Sequence, residues 1–193
     1  MRIVTAAARA IREEGLASPR LADLMRTAGL THGGFYRHFP SREALMAEAL
    51  EHAFKEGQVR IAARAREGDG PEQFLAIVEL YLTKRHRDHP GAGCALGAMA
   101  ADIGRAGEAM RGLCRREVEE QLALLGDTLR GDEIEARRRS IVALCLFIGA
   151  LQVSRAVGDS DLSDEVLDVI RDFLPSLNEP SEPRGGPPAA ASH

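Results

Sequence analysis

The segment Thr27-Ala28-Gly29-Leu30-Thr31-His32-Gly33-Gly34-Phe35-Tyr36-Arg37-His38-Phe39 constrains the fold of this chain more than any other. Gly29 stands where a tight turn between two short helices needs a positive φ. Ala28 is small where the two helices must approach, and Leu30 can anchor the corner. Thr31 is placed to cap a further helix, which Pro40 stops near His38. Two consecutive glycines inside that helix cost about 1 kcal/mol each. Thr31, His32, Tyr36, Arg37 and His38 give it little to bury, and only Phe35 and Phe39, four apart, form an anchoring face. Such a helix makes physical sense where its backbone has to come close to another surface.

Helical periodicity dominates the rest of the chain, with no strand-like alternation of useful length. Ile3, Ala7 and Ile11 form a stripe that Gly15 closes, and Ser18-Pro19 reads as N-cap and first residue of a second helix. Ser41 caps a long helix that can run to about residue 67, before the break Gly68-Asp69-Gly70-Pro71. Further helices are expected at about 71–87, 94–103, 106–129, 133–157 and 161–174. Five of the nine prolines lie from Pro175 onward with Gly185-Gly186, so 175–193 reads as a disordered tail.

Composition bounds the compartment and the partners. Aromatic residues make up 4% of the chain and tryptophan is absent, so the core must be Leu, Ile, Val, Ala and Met, which suits helices. The apolar run Ile141–Leu151 is too short for a bilayer, which needs about 20 residues. Three widely spaced cysteines, Cys94, Cys114 and Cys145, argue for a reducing cytoplasm rather than a disulfide framework. The net charge is −4, yet residues 1–42 hold seven arginines against three acidic residues, leaving −8 for the remainder. A basic head on an acidic body suits a chain that meets phosphate at one end only.

Segment 18–38 has the parts of a helix-turn-helix: a supporting helix, a tight turn and an exposed second helix able to enter a major groove. Its residues, together with Glu14-Gly15, Leu21-Ala22-Asp23-Leu24 and Ser41-Arg42-Glu43-Ala44-Leu45, closely resemble the head of the TetR (TetR/AcrR) family of transcriptional regulators over about residues 2–50. The resemblance implies an all-α fold in which a three-helix head (1–50) is joined by a long fourth helix to a helical ligand-binding and dimerisation domain (51–174). It places Thr31, His32 and Gly33 at base edges. Tyr36 and His38 fall on phosphate-contacting positions, and Arg42 stands where a Lys usually opens the fourth helix. Arg20 and Arg37 are further phosphate candidates. Family members usually carry a basic arm before the first helix, and here Arg2 is all that corresponds to it.

Beyond the head the resemblance is one of layout. The helix at 133–157 is apolar on two sides, through Ile141, Leu144, Cys145 and Ile148 and through Val142, Leu146, Gly149 and Val153. Leu162, Val166, Val169, Ile170 and Phe173 give the last helix one stripe. Pairing of both helices with their copies in a homodimer accounts for these faces. The resemblance also implies a pocket for a small, largely apolar inducer, with Phe74, Tyr81, Cys94, Met99, Met110, Leu113, Leu144 and Phe147 as candidate lining. His86, His89 and Cys94 fit a polar helix end better than a metal site, and Cys94 fits an inert hydrophobe better than a thiol sensor. His52 reads as a satisfied buried residue. No metal or cofactor is expected. No phosphate loop, HExxH, GxSxG or carboxylate pair marks an enzyme. A helical carrier or enzyme, or a dimeric adaptor that no longer binds DNA, are the alternatives to a repressor released from a palindromic operator.

Overall fold

A computed structural model describes residues 2–64 and 69–179. Its elements are helices α1 (Arg2–Glu14), α2 (Leu21–Ala28), α3 (His32–Tyr36), α4 (Arg42–Arg64), α5 (Pro71–Tyr81), α6 (Lys84–Asp88), α7 (Ala95–Arg105), α8 (Glu108–Gly126), α9 (Glu133–Ala156) and α10 (Asp161–Phe173). Short 3-10 turns cover Pro90–Ala92 and Leu174–Asn178. The described residues are helical without a strand, and the fold is all-α.

Helix boundaries follow the caps. The side chains of Thr31, Ser41, Thr83, Asp132 and Ser160 each accept a backbone N–H from the first turn of a following helix. Gly15 ends α1 at φ 87° and Gly29 ends α2 at φ 70°. Two boundaries differ from the sequence expectation. Helix α2 starts at Leu21 with Arg20 as an uncapped N-cap, so Ser18-Pro19 belongs to the loop. The helix expected over 71–87 breaks at Leu82 (φ −90°, ψ 67°), and Thr83 caps a separate α6. The expected end of α4 at 65–67 lies outside the described residues.

Helices α1 and α4 form the spine of the head. Ile3, Val4, Ala7, Ala8 and Ile11 pack on Leu45, Met46, Ala49, Leu50 and Ala53 in one hydrophobic cluster that continues into the body through Phe74, Ile77, Leu96 and Leu151. Burial of this area is the main stabilising term. The head is tied to the body at two further points. Arg12 donates to the Ala53 carbonyl and to Glu56 (2.8 Å), and the Leu16 N–H donates to Asp102 on α7 (3.3 Å). His52 is half-exposed, beside Thr5 and Glu56, rather than buried as expected, because its place on α4 falls at the edge of the α1 contact.

Ordered structure also runs past the expected start of the tail. Leu174 is fully buried, and Asn178 bonds the Arg130 N–H (2.8 Å) and the Thr128 carbonyl. The tail assignment for 175–179 is therefore corrected; residues 180–193 lie outside the described part. Helix α9 is long and apolar enough to cross a membrane by length and composition, which the run Ile141–Leu151 alone is not. Its inner face, with Ala143, Leu144, Phe147, Ala150 and Leu151, is buried in the protein.

Candidate nucleic-acid interface and body cavity

The corner of the head is built from backbone hydrogen bonds. The Gly29 N–H reaches the Arg26 carbonyl and the Leu30 N–H reaches the Met25 carbonyl (2.9 Å), so the positive φ of Gly29 closes α2 and turns the chain into α3. Phe35 is fully buried and stacks on Phe39 at 5.4 Å, fixing α3 to the core as expected. The other side of the helix carries Thr31, Gly33, Tyr36, Arg37 and His38 to the surface. Tyr36 is 54% exposed, its ring edge-on to Phe35 at 5.1 Å. The side chain of His32 lies outside the described part of the structure.

The two glycines of α3 have different causes. A Cβ on Gly34 would sit 3.2 Å from the Thr31 hydroxyl, which accepts the Gly34 N–H, so a side chain there would press on the cap. A Cβ on Gly33 would meet nothing within 4 Å. Nothing inside the protein asks for that glycine, and its backbone lies open on the exposed side.

Arg20 is exposed at the start of α2. Arg42 is half-buried, and one terminal nitrogen donates to the carbonyls of Leu16 (3.3 Å), Ala17 (3.0 Å) and Pro19 (3.1 Å). Arg42 gathers loop carbonyls that have no helical partner and sets where α2 begins.

In the body, α4, α5, α6, α7 and α8 line a half-open cavity of about 660 Å³. Of the eight expected lining residues, Tyr81 and Cys94 reach it. Phe74, Met99, Leu144 and Phe147 are core, with Phe74 and Tyr81 each in contact with Phe147, while Met110 and Leu113 pack against the core from α8. The break at Leu82 is the reason, since it turns α6 over the cavity and leaves α9 to the solid core behind Tyr81. The wall is also more polar than expected, with Arg60, His86, Glu117 and Gln121 in it.

His86 is held neutral. A carbonyl can only accept and an amide N–H can only donate, so Nδ1 carries the proton toward the Tyr81 carbonyl (2.7 Å) and Nε2 accepts the Cys94 N–H (2.9 Å). Burial lowers its pKa to about 4. With both ring nitrogens engaged by backbone, His86 is a strut between α5 and the start of α7. Arg155 braces it by donating to the carbonyls of His86, Arg87 and Gly97. Glu117 is 3% exposed, and burial raises its pKa above the usual carboxylate value.

A basic, exposed short helix behind a glycine corner, mounted on a rigid helical pair, defines a helix-turn-helix of the nucleic-acid-binding class. Residues 3–49 match the family model "Bacterial regulatory proteins, tetR family". An uncharacterized HTH-type transcriptional regulator of Mycobacterium tuberculosis is 30% identical over 105 residues, covering 53% of this chain and 52% of its own. The transcriptional repressor NemR of Escherichia coli is 25% identical over 119 residues, 61% of this chain and 60% of its own. The match thus spans about half the length of these curated relatives. Over nearly the whole chain the fold is that of a TetR-family regulator from Cytophaga hutchinsonii (TM-score 0.78, 20% identity, 93% of this chain and 94% of that one). It is also that of reduced E. coli NemR (TM-score 0.72, 20% identity, 88% and 94%). Residues 3–49 thus carry the head of the TetR family, and the fold of nearly the whole chain is that of these regulators.

Proposed function

We propose that this protein is a homodimeric, DNA-binding transcriptional regulator of the cytoplasm, a repressor that leaves a palindromic operator when a small molecule fills the body cavity. The observation that carries the reading is α3, whose buried face is two phenylalanines and whose open face is polar, basic and bare at Gly33. In a major groove, Thr31, His32 and Gly33 meet base edges, while Tyr36, His38, Arg37 and Arg20 meet phosphate and set register. Thr31 uses its oxygen to cap α3, so its hydroxyl proton is what it offers to a base.

The dimer face is assigned to α9 and α10, where Ile141, Val142, Val153, Leu162, Val169 and Phe173 are all more than 40% exposed. Two helices from each copy give a four-helix contact that covers these residues. It also holds two heads at one spacing, which a palindrome requires. A ligand acts by preferring the conformation whose heads no longer match the half-sites. The points where α1 meets the body, at Glu56 and Asp102, are where such a change reaches the head.

Selection of bound fragments from genomic DNA by the purified full chain tests the reading. A regulator enriches a palindromic sequence; recovery of no shared sequence overturns it in favour of a helical carrier or adaptor.

A further inference from the structure

The cavity wall contains a buried carboxylate without a cation. Glu117 lies on α8 facing α4, and its hydrogen-bond donors are the amides of Gln58 (2.7 Å) and Gln121. Gln58 also holds Glu120, so one neutral amide serves two carboxylates. Among the described residues no Lys, Arg or His lies within ion-pair distance of either. Amides satisfy lone pairs but not charge, and an uncompensated carboxylate in a protein interior is costly. A second group in the same wall is also incomplete. Tyr81 is 4% exposed, and its hydroxyl, beside the Cys94 thiol, has no nitrogen or oxygen partner. A Cβ at Gly97 would stand 3.1 Å from that oxygen, so the glycine keeps the space beside it open.

From these two groups we infer that the cavity binds an organic cation, a protonated primary or secondary amine on an apolar body. The amine supplies the charge that Glu117 lacks and an N–H for an oxygen acceptor, while Phe54, Ile61 and the Tyr81 ring meet the apolar part. The inference rests on the cavity being the effector site of the regulator proposed above. Two carboxylates alone make a poor metal site, and the described residues hold no cluster of three metal-ligating side chains.

Three arginines also line the cavity and would favour an anion. Arg64 is paired with Glu79, Arg60 donates to the Gly93 carbonyl, and Arg85 is exposed. Arg64 has a carboxylate partner and the exposed Arg60 and Arg85 are screened by water, whereas Glu117 has neither. Glu117 is thus the buried group of the wall whose charge has no partner.

Calorimetric titration of the full chain at neutral pH with phenethylamine, phenethyl alcohol and phenylacetate tests the sign directly. The amine is expected to bind at least about tenfold tighter than the other two, a factor that one lost charge pairing readily exceeds. Glu117→Gln should bring the amine down to the level of the alcohol without moving the alcohol itself. Tyr81→Phe, which removes one oxygen, should weaken the amine several-fold, and it serves as the readout if circular dichroism shows that Glu117→Gln is unfolded. Tightest binding by phenylacetate, an amine affinity unaffected by both variants, or binding of none of the three overturns the inference. Operator binding is measured separately on ligand-free protein, so a regulator with a different ligand is distinguished from a chain that is no regulator.

Discussion

At the scale of single residues, Tyr36 and Arg42 separate touching DNA from shaping what touches it. Tyr36 is exposed and its ring keeps an edge contact with Phe35, so Tyr36→Phe, which removes only the hydroxyl, should weaken binding to operator and unrelated DNA alike, by roughly 1 kcal/mol for one lost hydrogen bond, with little change in melting temperature. Fluorescence anisotropy on both DNAs, beside a thermal melt, checks this. Arg42→Ala strips three carbonyls of their donor and should lower stability by about 1–3 kcal/mol as well as DNA affinity, whereas a loss of affinity with an unmoved melt would restore it to a simple phosphate contact. His86 carries a pH signature. Its pKa is about 4 when folded and 6.5 when exposed, so the unfolded chain binds more protons between those values. The stability it permits is complete above pH 6.5 and falls as the pH drops toward 4, by up to about 3 kcal/mol. Urea melts of the wild type and of His86→Gln across this range should show the slope flattened in the variant.

At the scale of elements, α3 offers the sharpest contrast. Gly33→Ala adds a methyl in open space on a helix and should leave stability unchanged or raise it by up to about 1 kcal/mol, while DNA binding falls because the methyl stands where the groove floor belongs. Gly34→Ala should be less favourable to stability than Gly33→Ala, because its methyl presses on the Thr31 cap. If Gly33→Ala binds DNA as well as the wild type, the close-approach argument fails. The corner and the caps of α3 and α4 were legible because Gly, Thr and Ser act locally. The break at Leu82 was not, since neither Gly nor Pro marks it and the capping Thr83 looks like any helix-surface residue. Periodicity tells which side of a helix is buried, not whether a void or a neighbour lies against it, and so Phe74 and Phe147 were indistinguishable from lining. The clues to the wall of this cavity were Gly57, a gap on the inner side of α4, and Glu117 and Gln121, polar residues on the buried side of α8.

At the scale of the whole molecule, one chain presents one head, and the proposed action needs two. Val169→Asp with Phe173→Asp places charge on the exposed apolar side of α10, away from the core, and should yield a folded monomer by sedimentation that no longer holds a palindromic site. A persistent dimer would move the interface elsewhere. The basic head on an acidic body makes the remaining claim quantitative. With Arg20 and Arg37 on phosphate in each of two heads, and Arg42 as a further cation near the backbone, about four to six counterions are released per dimer. Titrating operator DNA with the ligand-free protein across a range of salt concentrations therefore tests the central claim most directly. The account predicts a straight fall of log K against log salt with a slope of about −4 to −5, shallower by about 2 in Arg37→Ala, one charge for each head. A flat dependence, or binding that does not distinguish the selected palindrome from scrambled DNA, would contradict it.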